Sequence, residues 1–260
     1  MVEQRRRQRW RTVRNFGLIV VAIVAVIFVI SLRSGSDSKP VSTNSSSGAP
    51  APAAFSFGTG PCPNADGSSP KTIDFTDAPQ DCIDPAKTYT ATFDTNLGTI
   101  VVKLDTTTTP GTANNFVTLA RYHYYDDTQI FRSAQSIGIL QGGSPHDNSA
   151  ADKGPGYALL DEGFDYASLP AGPNGKTGGP YKYTAGDLVM ARRAAPNGAG
   201  AQFFFAVNSS TANLDADGVY VKFGTATQGL DVLQAIFATA PPDQPPTPTV
   251  TISKVTIAES

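Results

Sequence analysis

The chain has 260 residues, a net charge of −2 at pH 7 and only two cysteines. Length alone does not decide between one domain and two. The charge is unevenly spread: residues 1–33 hold seven Arg and one Glu, which leaves thirteen basic and twenty-one acidic residues in 34–260, a net of −8. A body this acidic argues against a nucleic-acid partner.

Arg5, Arg6, Arg7, Arg9, Arg11 and Arg14 make 1–15 a basic tail, and an apolar run follows from Phe16 to Leu32. As a helix this run rises about 25 Å, near the short end of a bilayer span. No small-x-small cleavage site follows it, so 16–32 reads as an uncleaved transmembrane anchor and not as a cleaved signal peptide. The positive-inside rule holds the arginines in the cytoplasm and places the remainder outside, as in a single-pass protein of the cell membrane. Residues 33–60 are rich in Ser, Gly, Pro and Ala and read as a flexible linker. Residues 61–87 form a polar pre-domain segment containing Cys62 and Cys82. Beyond a membrane anchor disulfides persist. A bridge here closes a loop of about 20 residues and contributes about 3 kcal/mol through the unfolded state. The alternatives are two free thiols or a metal site with His123 and His146. Zinc motifs set ligands in close pairs, and these four are scattered, so we assign the disulfide and no metal.

The folded pattern starts near Tyr89. Thr90–Asp94 and Thr99–Leu104 are rich in β-branched residues and flank a hairpin at Asn96-Leu97-Gly98. Pro110 opens a helix in which Ala113, Phe116, Val117 and Ala120 share one face, with Thr112 as its N-cap. A second helix is expected near Gly229–Thr239. Leu188–Ala191, Gln202–Val207, Val219–Phe223 and Thr249–Ile257 read as strands. Many strands with two helices and long loops indicate a closed or nearly closed β-barrel.

The stretch Ile130-Phe131-Arg132 followed by Gln141-Gly142-Gly143 resembles the Phe-His-Arg…Gln-Gly-Gly signature of cyclophilins, the peptidyl-prolyl cis-trans isomerases. Met190-Ala191, Pro196-Asn197, Gly200-Ala201-Gln202-Phe203-Phe204 and Leu214-Asp215…Phe223-Gly224 follow in the family's order. The resemblance covers 88–260 and, with the anchor, suggests a membrane-anchored bacterial form. It implies a closed eight-stranded antiparallel β-barrel capped by two α-helices. It also implies a catalyst of X-Pro rotation that needs no cofactor, works as a monomer and takes X-Pro-containing exported polypeptides as partners. The alternative is a catalytically weak module that binds proline peptides in the cell envelope.

Rotation about a peptide bond faces a barrier of about 18–20 kcal/mol because resonance stiffens C–N. A catalyst must favour the twisted amide, whose nitrogen regains a lone pair. A fixed N–H donor and an apolar pocket for the pyrrolidine ring supply that without a nucleophile. By resemblance Arg132 is the donor, its guanidinium always charged and rigid. Gln141 holds the arginine or the peptide backbone, and Phe204 is the pocket floor. Ile139 and Leu214 are its apolar walls. Ala191, Arg193, Gln202 and Tyr220 complete the substrate-binding set. Strand alternation lets Phe204 face the groove while Phe203 and Phe205 face the other way. Several positions depart from the family. Ile130-Phe131 replace Phe-His, one extra residue separates Arg132 from Gln141, and another separates Met190 from Gln202. Ser144 stands in place of Asp. Arg192-Arg193 stand where an Asn is usual. Asn213 occupies a Trp position, which implies weak cyclosporin binding.

Overall fold

The computed structural model describes residues 55–173 and 175–260. The expected basic tail, the anchor at 16–32 and most of the linker lie outside them. Among the described residues no helix is long and apolar enough to cross a membrane.

Strands β1 (Tyr89–Thr95) and β2 (Gly98–Leu104) form the expected hairpin. Helix α1 (Pro110–Arg121) follows, then β3 (Thr128–Gln129), β4 (Arg132–Ala134) and β5 (Ile139–Gly142). A two-stranded ribbon of β6 (Ala171–Gly172) and β7 (Gly175–Lys176) stands apart. The main sheet resumes with β8 (Asp187–Arg192), β9 (Ala199–Ala206) and β10 (Lys222–Gln228). Helix α2 (Leu230–Thr239) and β11 (Thr251–Glu259) complete the chain. The main sheet has nine antiparallel strands in the order β3-β11-β1-β2-β10-β8-β9-β5-β4. This differs from the expected closed eight-stranded barrel. Among the described residues no ladder joins the two edges, β3 and β4. Only Ile130 and Phe131 separate them along the chain, so the sheet curls until its edges are neighbours in sequence.

The inner face packs around an aromatic cluster. Phe93 meets Phe205 at 5.1 Å and Phe203 at 5.5 Å between ring centroids, and Phe116 of α1 stacks on Tyr125 at 4.9 Å. All five rings are fully buried. Burying side chains of this size stabilises by about 1.5–3 kcal/mol each.

The expectations for local structure change in three places. Val219–Phe223 is not a strand of its own. Val219 and Val221 are buried, but the Tyr183 hydroxyl engages the backbone of Tyr220, and the ladder begins only at Lys222. Thr112 is not the N-cap of α1: Thr109 holds that position, and its side chain caps no helix N–H. The orphan N–H groups of Gly111 and Thr112 instead donate to the Glu162 carboxylate at 2.9 and 2.8 Å, and the Thr112 hydroxyl adds a bond of 2.7 Å. Finally, the polar segment expected at 61–87 packs against the domain that follows it. Gly58 and Gly60 donate to the carbonyls of Pro79 and Ala78, which ends the tether before residue 60. Cys62 is bonded to Cys82, and Asn114 of α1 grips the Cys82 end of the staple, through the Cys82 N–H and the Gln80 carbonyl. This grip accounts for the buried Asn114, whereas Thr112 bonds Glu162 and Asn115 bonds the Gly200 carbonyl and the Tyr157 hydroxyl.

Glu162 is the tertiary cap of α1. Replacing it with Ala leaves two buried N–H groups without acceptors, so Glu162→Ala is expected to cost about 2 kcal/mol in urea denaturation.

Candidate active site

Three strands bring the expected catalytic residues together. In the antiparallel register Arg132 of β4 lies opposite Gln141 of β5, and Gln141 lies opposite Phe204 of β9. Residues paired in this way share a face of the sheet, so the three form one row. Val189 of β8 extends it, opposite Phe204. Residues two apart join the same face, which adds Ile139 and Gln202.

The row divides into a polar chain and an apolar cluster. Arg132 Nη1 donates to Gln141 Oε1 at 3.1 Å, Gln141 Nε2 donates to Gln202 Oε1 at 3.0 Å, and Gln202 Nε2 donates to the Ser149 carbonyl at 3.2 Å. Every amide thus has a fixed orientation set by its neighbour. Arg132 Nη2 reaches Asp243 Oδ1 at 3.2 Å. Beside this chain, Phe204, Leu214, Ile139, Val189, Ala134 and Tyr183 form a second buried cluster, distinct from the main core, with Ala191 and Tyr220 packed against it. Phe203 and Phe205 belong to the main core. The period of two along β9 divides the three phenylalanines between two clusters, as the alternation predicts.

Gly138 sets the turn between β4 and β5. Its φ is +58°, and a Cβ there would stand 2.3 Å from Asn208 Oδ1. Its carbonyl accepts from Val207 N and Thr211 Oγ1. This close approach docks the 3-10 helix Ser209–Leu214 and places Leu214 against Ile139 and Phe204. Ile139 is buried in the cluster, and Ile137 packs on it from outside.

The β8–β9 ladder is irregular between Met190 and Arg192. The two adjacent arginines have different fates. Arg192 is buried, with Nη2 3.3 Å from Asp161 Oδ2 and its guanidinium 3.6 Å from the centre of the Tyr166 ring. Arg193 is exposed; both arginines line a cavity of about 310 Å³ together with Gln141, Gln202, Ala191, Tyr157 and Asp152. Arg193 Nη2 donates to the Asp152 carbonyl at 3.1 Å. Burial opposes ionisation of Asp152, but hydrogen bonds from the Gly154 and His146 N–H groups hold its carboxyl below the usual range. The cavity wall is braced from the stapled segment, where Phe75 N donates to the Pro155 carbonyl at 2.7 Å. His146 sits between Asp152 and Asp74, while His123 bonds Asp126 and the Gly67 carbonyl. The bonds to Asp126 and Asp152 are local, and those to Asp74 and Gly67 tie distant loops together.

Sequence reasoning missed three contributors. Asp243 comes from a loop 111 residues away in the chain. Ser149 contributes only a carbonyl, which side-chain patterns do not show. Tyr183 bonds both N–H and C=O of Tyr220, and so fixes the ring that meets Phe204 edge-on at 5.7 Å. A buried tyrosine between glycine-rich loops was the available signal for this last residue.

Residues 90–257 match the family model described as cyclophilin type peptidyl-prolyl cis-trans isomerase/CLD. The chain is 33% identical over 180 residues to the probable peptidyl-prolyl cis-trans isomerase B of Mycobacterium leprae (strain TN). That match covers 66% of this chain and 57% of the relative, so the chain spans little more than half of that protein. It is 33% identical over 153 residues to peptidyl-prolyl cis-trans isomerase B of Escherichia coli (strain K12), covering 56% of this chain and 82% of the other. A solved cyclophilin type peptidyl-prolyl cis-trans isomerase from Cryptosporidium parvum aligns at 24% identity with a TM-score of 0.49, over 66% of this chain and 99% of that one.

Burial pushes the phenols of Tyr183 and Tyr220 up. An acid raised in the folded state adds stability that is complete below its unfolded value, about 10, and lost as pH rises toward the folded value. Stability should hold to about pH 10 and then fall. In tyrosinate absorbance titrations, the difference between wild type and Tyr183→Phe should emerge only as the chain unfolds.

Proposed function

The chain belongs to the cyclophilin type peptidyl-prolyl cis-trans isomerase family, and on that premise we propose that it catalyses rotation about X-Pro bonds on the face shared by Arg132, Gln141 and Phe204. The observation that carries this reading is their adjacency across β4, β5 and β9, with the guanidinium held by Gln141 beside an apolar cluster that includes Phe204, Leu214 and Ile139. In the proposed mechanism the pyrrolidine ring rests on Phe204 between Leu214 and Ile139. Arg132 donates an N–H as the prolyl nitrogen loses resonance and its lone pair localises. The donor is oriented before the substrate arrives, so little reorganisation accompanies the barrier crossing. Gln202, Ala191 and Arg193 line the adjoining cavity and receive residues that precede proline. Tyr220 closes the apolar side. Every step is a rotation or a change of hydrogen bonding, so no cofactor or metal enters.

The polypeptides served are exported ones in this reading, and the catalytic domain works as a monomer outside the cytoplasmic membrane, tethered through residues 16–32. Two features of the chain support that placement: six arginines before an apolar run, and a disulfide between Cys62 and Cys82.

The test is cis-to-trans isomerisation of a short X-Pro peptide by the full-length chain. Acceleration is expected, and Arg132→Ala should lower kcat/KM by about a hundredfold or more, the scale of one lost transition-state donor. A folded wild type that binds the peptide without accelerating it would favour the alternative of a proline-binding module.

A further inference from the structure

The arginine is held at both ends, and the second holder comes from a segment with no other evident task. Residues 240–248 connect α2 to the approach of β11 and include Pro241, Pro242, Pro245, Pro246 and Pro248. The segment is fixed at three places beside β4. Gln135 Nε2 donates to the Ala240 carbonyl at 3.0 Å, Ser133 exchanges backbone bonds with Asp243 and Gln244 at 2.7 and 2.9 Å, and just beyond the segment Ile130 N donates to the Val250 carbonyl at 3.0 Å. Ser133 is the immediate neighbour of Arg132. Asp243 therefore has its backbone joined to the strand that carries the arginine, and prolines restrict φ on either side of it. Its own φ is +55°. Asp adopts that left-handed conformation more readily than most residues, and Gly adopts it without cost.

We propose that Asp243 is a positioning residue for Arg132, one that sets the plane of the guanidinium during isomerisation. The proposal rests on the assignment of Arg132 as the donor. Gln141 engages Nη1 and Asp243 engages Nη2, so the fork is fixed at two corners. The pair is partly exposed, with the arginine side chain 37% and the aspartate 65% accessible. Exposed ion pairs contribute little when both side chains must be ordered to meet. Here the backbone bonds to Ser133 have already ordered the acceptor, and the bond to Gln141 has ordered the donor. Its contribution therefore appears in the orientation of the guanidinium more than in fold stability.

The experiment compares the full-length wild type with Asp243→Gly, Asp243→Asn, Arg132→Ala and the double variant Arg132→Ala/Asp243→Gly in the X-Pro peptide assay. The glycine relieves the backbone while deleting the carboxylate, which separates loss of loop structure from loss of the side chain. We expect Asp243→Gly to lower kcat about fivefold with KM nearly unchanged. Asp243→Asn, which keeps an oxygen acceptor, should retain most of the rate. In the Arg132→Ala background the glycine should have no further effect, because its action passes through the arginine. An unchanged or raised kcat in Asp243→Gly overturns the proposal, as does an equal fivefold loss in both backgrounds. A wild type without activity removes the isomerase reading and this proposal together, whereas an active wild type indifferent to Asp243→Gly removes this proposal alone.

Discussion

The antiparallel register sets Arg132 opposite Gln141 and Gln141 opposite Phe204, and everything proposed for this protein depends on it. A shift of one residue in either pairing would turn the donor, the amide and the ring to the other face, because side chains alternate along a strand. The register is secured from both sides of the sheet. On the core face Phe203 and Phe205 lock β9 among Phe93 and Phe116. On the opposite face the hydrogen-bond chain from Arg132 to Ser149 admits one arrangement of the two glutamines.

Around this row, loops with little regular structure are held by polar contacts at named points. Glu162 ties the loop before β6 to the start of α1. The Asp161–Arg192 pair, buried against Tyr166, ties the same loop to the β8–β9 hairpin. Breaking such a pair leaves a buried charge alone, which costs more than the pair itself contributes. The stapled segment, fixed by Cys62–Cys82 and gripped by Asn114, reaches across α1 to the wall of the cavity beside Arg193. Residues far from the row thus determine the shape of the place where a peptide would lie.

Much of the site was legible because it is written in local patterns. The order of Arg132, Gln141 and Gln202-Phe203-Phe204 carries the family resemblance, and the strand period alone divides the three phenylalanines correctly. The oxidised state of the two cysteines followed from their number and placement. Long-range partners were not legible. Asp243 and Glu162 act on Arg132 and α1 from distant loops, where a lone carboxylate gives no periodic signal. Arg192 and Arg193 look equivalent as a pair, and both line the cavity; only the buried bond to Asp161 and the packing on Tyr166 set Arg192 apart. Val219–Phe223 reads as a strand because burial and β-branching look alike with or without a ladder. The strand count failed for a related reason: β3 and β4 are short pieces of one stretch, pairing with β11 and β5 in turn.

The central claim is that the face bearing Phe204, and no other surface of the domain, receives the proline. The most direct measurement is a backbone-amide titration of the isotopically labelled full-length chain with an X-Pro peptide. The account predicts shifts concentrated at Ala134, Ile139, Gln141, Ala191, Gln202, Phe204 and Leu214, with the peptide's cis and trans signals exchanging in the bound state. Shifts confined to another surface, such as the lysine-bordered groove between β2 and β10, would contradict it.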